Sequence, residues 1–182
     1  MTPEAILTER RIVRAAAIAF GVTSILAITA FVIVSTLRGD APFFGLALVF
    51  AAFPFIAAQI PLVFGMFSFN AHVKSALQGA DVRRVALVVL RGRSLELDAS
   101  DEAAAARYAP IAAVAQRLQA VSIVLTDIGT LCALLGLLSI TSDFRVPLLI
   151  VCAVLIASAV LGVPIVFRQA RRAKRYAATH PA

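Results

Sequence analysis

Polar and apolar positions alternate along this chain in long blocks, and the blocks set the first expectation. Residues 15–37 are 23 uncharged positions between Arg14 and Arg38, residues 41–71 are 31 between Asp40 and His72, and residues 146–167 are 22 between Arg145 and Arg168. A fourth block, residues 118–142, has 25 positions interrupted only by Asp127. About 20 apolar residues cross a hydrocarbon core of roughly 30 Å as a helix. Each block therefore predicts one transmembrane helix, at 13–37, 43–68, 116–140 and 146–167, and tilt absorbs the surplus length of the second. The expected fold class is all-α, an integral membrane four-helix bundle.

The two predicted hairpins look related. A shift of 103 residues lays Arg14 on Arg117, Ala17 on Ala120, Thr23 on Thr126, Ile25 on Ile128 and Ala30 on Ala133. The same shift lays Pro61-Leu62-Val63-Phe64 on Pro164-Ile165-Val166-Phe167. One register serving both ends predicts a parallel repeat, with its axis along the membrane normal. The chain then divides into 1–69, an N-terminal segment and first hairpin; 70–117, an amphipathic linker; and 118–182, a second hairpin with a basic tail.

Within the linker, 71–90 can continue the second helix, with Val73, Leu77, Ala80 and Val85 at helical spacing. The run Val85–Leu90 can alternatively form a strand paired with the alternating Ser94-Leu95-Glu96-Leu97-Asp98. Asp98 followed by Asp101 reads as an N-cap with an acidic first turn, starting a helix that Pro110 interrupts before the third span. The face of such a segment can lie on headgroups or meet another protein.

Composition agrees with a membrane setting: 61% hydrophobic, 15% charged, mean hydropathy +0.94, against about a quarter charged in soluble domains. Two cysteines are too few for a disulfide framework. The first apolar run is too long for the h-region of a signal peptide and lacks a convincing A-x-A cleavage site.

Charge then predicts orientation. Of 17 basic residues, only Arg38 and Arg145 fall in the two short connectors, while the N-terminal segment, the linker and the tail hold three, seven and five. Such a bias places both termini and the linker in the cytoplasm, of a protein of the plasma (inner) membrane. Arg10, Arg11, Arg14, Arg168, Arg171, Arg172, Lys174 and Arg175 hug helix ends, where anionic headgroups attract them at about 1 kcal/mol each. The expected partners are thus the lipid bilayer and another membrane protein or a second copy. Nucleic acid is not expected, because no basic stripe interleaved with aromatics is present.

Asp127 is the residue that chemistry must explain. A carboxylate near a helix centre costs about 2.5–3.5 kcal/mol on insertion scales, and such residues usually face the bundle or a cavity. Counting about 1.5 Å per residue puts Thr23, Ser24, Gln59, Thr126, Thr130 and Ser158 near its level. This predicts a mid-membrane polar layer in which Asp127 either binds or relays a proton or cation, or serves structure alone, protonated and hydrogen-bonded to Gln59 or a hydroxyl, or paired with a basic residue of another subunit. Under the repeat, Ser24 is its counterpart.

Other candidates are weaker. Pro54 and Pro61 predict two kinks on one face of the second helix, in a span carrying eight phenylalanines; a bent packing helix and a gate are both consistent. Small-residue pairs suit close packing at Ala17/Gly21, Gly129/Ala133 and Ser158/Gly162. Cys132 and Cys152 share a depth but not the C-x-x-C spacing of redox thiols, and read as core residues. His72 and His180 have no companion at ligand spacing, so no metal or cofactor is expected. No nucleophile elbow, P-loop or dinucleotide fingerprint is present, and Arg38-Gly39-Asp40 reads as a turn. The expected function is non-catalytic: an accessory subunit, assembly factor or regulator of a membrane complex. A small proton- or cation-linked transporter built on Asp127 is the alternative.

Overall fold

The structure, a computed structural model, describes residues 3–38, 43–140 and 145–180. The outer connectors anticipated at 38–42 and 141–146 lie mostly outside these residues. Five helices follow one another: α1 (Pro3–Arg38), α2 (Phe43–Ala76), α3 (Val82–Val89), α4 (Ala99–Ile140) and α5 (Arg145–Thr179). All but α3 are long and apolar enough to cross a membrane, and no strand occurs among the described residues.

Three expectations for the middle of the chain are corrected. The second helix does not continue to residue 90. It ends at Ala76, and Gly79, at φ 80°, turns the chain through a conformation that suits glycine best. The strand alternative fails as well: residues 82–89 are the helix α3 and 92–98 carry no ladder. Pro110 does not interrupt α4, which runs unbroken from Ala99 to Ile140. A helix-interior proline forfeits one backbone bond and strains the turn before it. Here Ala109 and Ala112, buried on either side, hold the two halves in place. The Asp98 start stands, with Glu102 N donating to Asp98 O at 2.8 Å.

By contacts the chain forms two compact units. One comprises Met1–Ile12, Val63–Val121 and Pro164–Ala182, the other Val13–Leu62 and Ser122–Val163. In the second, Arg14, Arg38 and Arg145 are matched by Asp40, Asp127 and Asp143, so the whole net charge of +7 belongs to the first. We call them the basic and apolar units.

The basic unit is built on an alanine ridge. Ala104, Ala105, Ala109, Ala112 and Ala113 of α4, with Tyr108, form a buried stripe, and small side chains let other helices approach its backbone. Val85 and Val89 of the strongly amphipathic α3 are completely covered by this cluster, and Ala173 of α5 completes it. Burying each valine is worth about 1.5–3 kcal/mol. Val85 and Val89 are thus covered inside the unit, while Val82 and Leu95 of the linker stay exposed.

Two carboxylates orient α3. Asp81 is its N-cap, with Oδ1 accepting from the backbone N–H of Arg83 at 3.0 Å and of Arg84 at 3.2 Å. Buried Asp101 accepts from Asp81 N at 2.9 Å, joining the starts of α3 and α4. Burial also pushes the Tyr108 phenol above its ordinary range. The Tyr176 phenol is raised by burial and, secondarily, by the charge of Glu102.

The apolar unit is held by a close seam between α2 and α4. A Cβ on Gly136 would stand 2.6 Å from Gly45 O and 2.9 Å from Val49 N, and a Cβ on Gly45 would stand 2.8 Å from Gly136 O. Seven residues before Gly136, a Cβ on Gly129 would meet Phe55 Cβ at 2.9 Å. The two backbones touch because both sides are glycine, as small residues permit. On the other flank of α2, Phe20 and Phe31 of α1 stack edge-on with Phe55 and Phe50, ring centroids 5.3 and 6.1 Å apart.

Candidate functional site

The α2–α4 seam carries a polar clasp. Gln59 Nε2 donates to Ser122 O at 2.7 Å and also to Thr126 Oγ1. Thr126 Oγ1 in turn donates to Ser122 O at 2.9 Å. Gln59 and Thr126 are thus brought together from different helices.

The remaining members of the anticipated layer are not gathered by hydrogen bonds. Thr23 Oγ1 and Ser24 Oγ bond back to their own helix, to Ala19 O and to Phe20 O (2.7 Å for Ser24). Such back-bonding satisfies a hydroxyl without a neighbour. Thr130 is half-buried and Ser158 is exposed.

Asp127 is only 6% exposed, and its Oδ2 has no hydrogen-bond partner. On a helix turning 100° per residue, it lies about 140° round α4 from the stripe Ser122, Thr126, Gly129, Gly136 that faces α2. Thr130, three residues on, shares its side of the helix. The carboxyl is therefore separate from the clasp: one face of α4 spends its polar groups on α2, and another buries a carboxyl oxygen with nothing to accept from.

Pro54 and Pro61 both lie inside the unbroken α2. Pro54 is buried and lines an open apolar groove of about 280 Å³ between α1 and α2, whose walls include Phe20, Phe31, Phe50 and Phe55. Next to it on α1, a Cβ added at Gly21 would have no atom within 4 Å. Ile18, Ile25 and Ile28 are 64–68% exposed. Gly162 on α5 is equally open, while Gly129 is packed against α2.

Both cysteines are free thiols, Cys152 buried and Cys132 half-buried. His180 stacks on Tyr176 with ring centroids 4.3 Å apart, and its Nδ1 lies 2.8 Å from Thr179 Oγ1. His72 packs near Phe69. Among the described residues no group of three His, Cys, Asp or Glu side chains could hold a metal.

Arg10, Arg11, Arg14, Arg168, Arg171, Arg172, Lys174 and Arg175 are all exposed. One of them makes a contact that no spacing announced: Arg172 Nη1 donates to the backbone carbonyl of Arg91 at 2.7 Å, tying α5 to the loop after α3. The Gly45–Gly136 approach and the Asp101–Asp81 link were equally invisible, since each joins residues from separate helices with no periodic signal between them.

No family model matches this chain, and no curated protein or solved structure is detectably similar to it. The fold defines an all-helical protein with four helices of membrane-spanning length and apolarity.

Proposed function

We propose that this chain is a multi-pass protein of the plasma membrane with a non-catalytic role, serving as an accessory subunit or regulator that docks a helix of a partner membrane protein. Both termini and the linker lie in the cytoplasm, and the spans form a four-helix bundle of two repeated hairpins. The charge bias across the connectors supports that orientation. The matching ends of α2 at Ala76 and α5 at Thr179, 103 residues apart, support the repeat.

The observation that carries the docking role is the outer side of α1. An aromatic groove of about 280 Å³ adjoins Ala17 and the open Gly21, which allow a second helix to come close. Lipid fills the groove in the absence of the partner. The test is purification in mild detergent with the mass of the assembly determined, for the wild type and for Ala51→Trp, which fills the groove. A stoichiometric partner present with the wild type and absent with Ala51→Trp supports docking. A wild-type protein that is monomeric, or a partner equally retained by the variant, refutes it.

A second reading rests on Asp127, whose buried Oδ2 lacks a partner: the carboxyl carries a proton or cation through the membrane. In liposomes, Asp127→Asn should then abolish flux while leaving the fold intact. Unchanged flux, or no flux in the wild type, refutes this reading.

A further inference from the structure

Fourteen of the 17 basic residues belong to the basic unit, and six of them gather in one exposed patch. On α5, Arg168, Arg171, Arg172 and Arg175 recur at the spacing of a single helix face, opposite the buried Ala170 and Ala173. This stripe is about 10 Å long. The loop closing α3 adds Arg91 and Arg93 on either side of Gly92, which holds φ 64°. Arg172 joins the two elements: besides its hydrogen bond to Arg91 O, its Cδ stands 3.6 Å from where a Gly92 Cβ would be.

The ion pairs of this unit fall elsewhere, Arg84 with Asp98 and Arg117 with Glu9. None of the six arginines has a carboxylate partner among the described residues. A specific hydrogen bond therefore holds like charges together, at a cost in self-repulsion that an anion removes.

We infer that this patch binds the headgroup of a phospholipid carrying two phosphate groups. Guanidinium groups fork onto phosphate oxygens in pairs, and six of them on two elements suit two phosphates better than one. The stripe starts at Arg168, where the apolar run of α5 ends. The headgroup layer, about 5–7 Å deep on each side, overlaps its first turns. Ile165 and Phe167, exposed just before it, offer apolar surface to the acyl chains. A soluble diphosphate has no use for that surface, which is why a lipid is the favoured source. The inference rests on the membrane placement proposed above, but not on the docking role.

The test uses the full-length protein in mild detergent, titrated with cardiolipin, with phosphatidylglycerol at equal total charge, and with inorganic pyrophosphate; bound molecules are counted by native mass spectrometry. The expected result is that cardiolipin is retained at least tenfold more tightly than phosphatidylglycerol, and that pyrophosphate does not displace it. The double variant Arg91→Gln/Arg93→Gln, whose side chains are exposed, should keep the wild-type unfolding profile and bind cardiolipin about thirty-fold more weakly. Arg83→Gln, outside the patch, should bind as the wild type does. Equal retention of the two lipids, a double variant no weaker than Arg83→Gln, or displacement by pyrophosphate overturns the inference. If labelling from the two sides of the membrane refutes the placement, retention in detergent still decides whether the site exists.

Discussion

Replacing Gly136 by alanine tests the α2–α4 seam directly. The added Cβ meets Gly45 O at 2.6 Å and Val49 N at 2.9 Å, whereas ordinary contact begins at 3.4 Å. Val49 Cγ2 also lies at 2.7 Å, but the other two obstacles are backbone that no rotamer change relieves, so the helices must part locally by about 0.8 Å, the difference between 3.4 and 2.6 Å. Overpacking of this kind costs about 1–3 kcal/mol. Alanine also gains about 1 kcal/mol over glycine in helix propensity, which blurs any single measurement. Gly21→Ala removes that ambiguity. It gains the same propensity in open space, so the two variants should differ by the overpacking cost alone, about 1–3 kcal/mol. Gly65→Ala should fall between them, because the atoms nearest its new Cβ belong to the side chain of Ile12 and not to backbone. The assay is reversible unfolding in mixed micelles or bicelles, with a pair of labels on α2 and α4 reporting their separation. Equal stability of the Gly136 and Gly21 variants would mean that the two helices do not approach at these glycines.

Gln59→Leu removes both hydrogen bonds from α2 to α4, while Thr126 keeps its own bond to Ser122 O. The loss should be only about 0.6–2 kcal/mol in the same unfolding assay, and a larger loss would show that the clasp does more than pack helices. Asp101→Ala leaves the Asp81 N–H without its acceptor and should cost about 1–3 kcal/mol, whereas Asp101→Asn keeps an acceptor and should cost less; hydrogen exchange across α3 reads the difference. The raised phenols of Tyr108 and Tyr176 make the basic unit sensitive to alkali. Because folding raises their pKa, their contribution is complete below the unfolded value near 10 and is lost as pH climbs from there through the folded value. Stability should therefore fall above about pH 10, less steeply in Tyr108→Phe; an identical slope in that variant would remove Tyr108 from the explanation.

Uncharged runs revealed α1, α2, α4 and α5 because a membrane-length helix needs a long unbroken apolar segment, and that requirement is written in one dimension. The polar ends were harder to read. The Asp98 start of α4 was legible, but not that the helix runs on through Pro110 into its apolar stretch, nor that α5 runs on to Thr179, because buried alanines fasten these extensions to one another. Alanine carries almost no hydrophobic signal, so Ala104–Ala113 read as a bland start rather than a core. Pro110 misled for the same reason: its local effect is legible, and the packing that overrides it is not. Counting residues from helix ends put Gln59 and Thr126 at one level but did not pair them. It could not say which way Thr23, Ser24 or Asp127 face, since rotation about the helix axis depends on partners chosen by shape, such as Gly45 against Gly136.

The core of the basic unit joins residues 76–113 to Ala173 of α5, far along the chain, and this has a bearing on biogenesis. Val85, Val89 and the alanine ridge of α4 leave the ribosome before α5 has been made, yet the cluster they form stays open until Ala173 arrives. A nascent chain halted before the fourth long helix thus leaves Val85, Val89 and the alanine ridge without Ala173 to cover them. Closure of this cluster therefore waits on the last helix, and the polar end of α5 seals what the end of α2, α3 and the start of α4 begin.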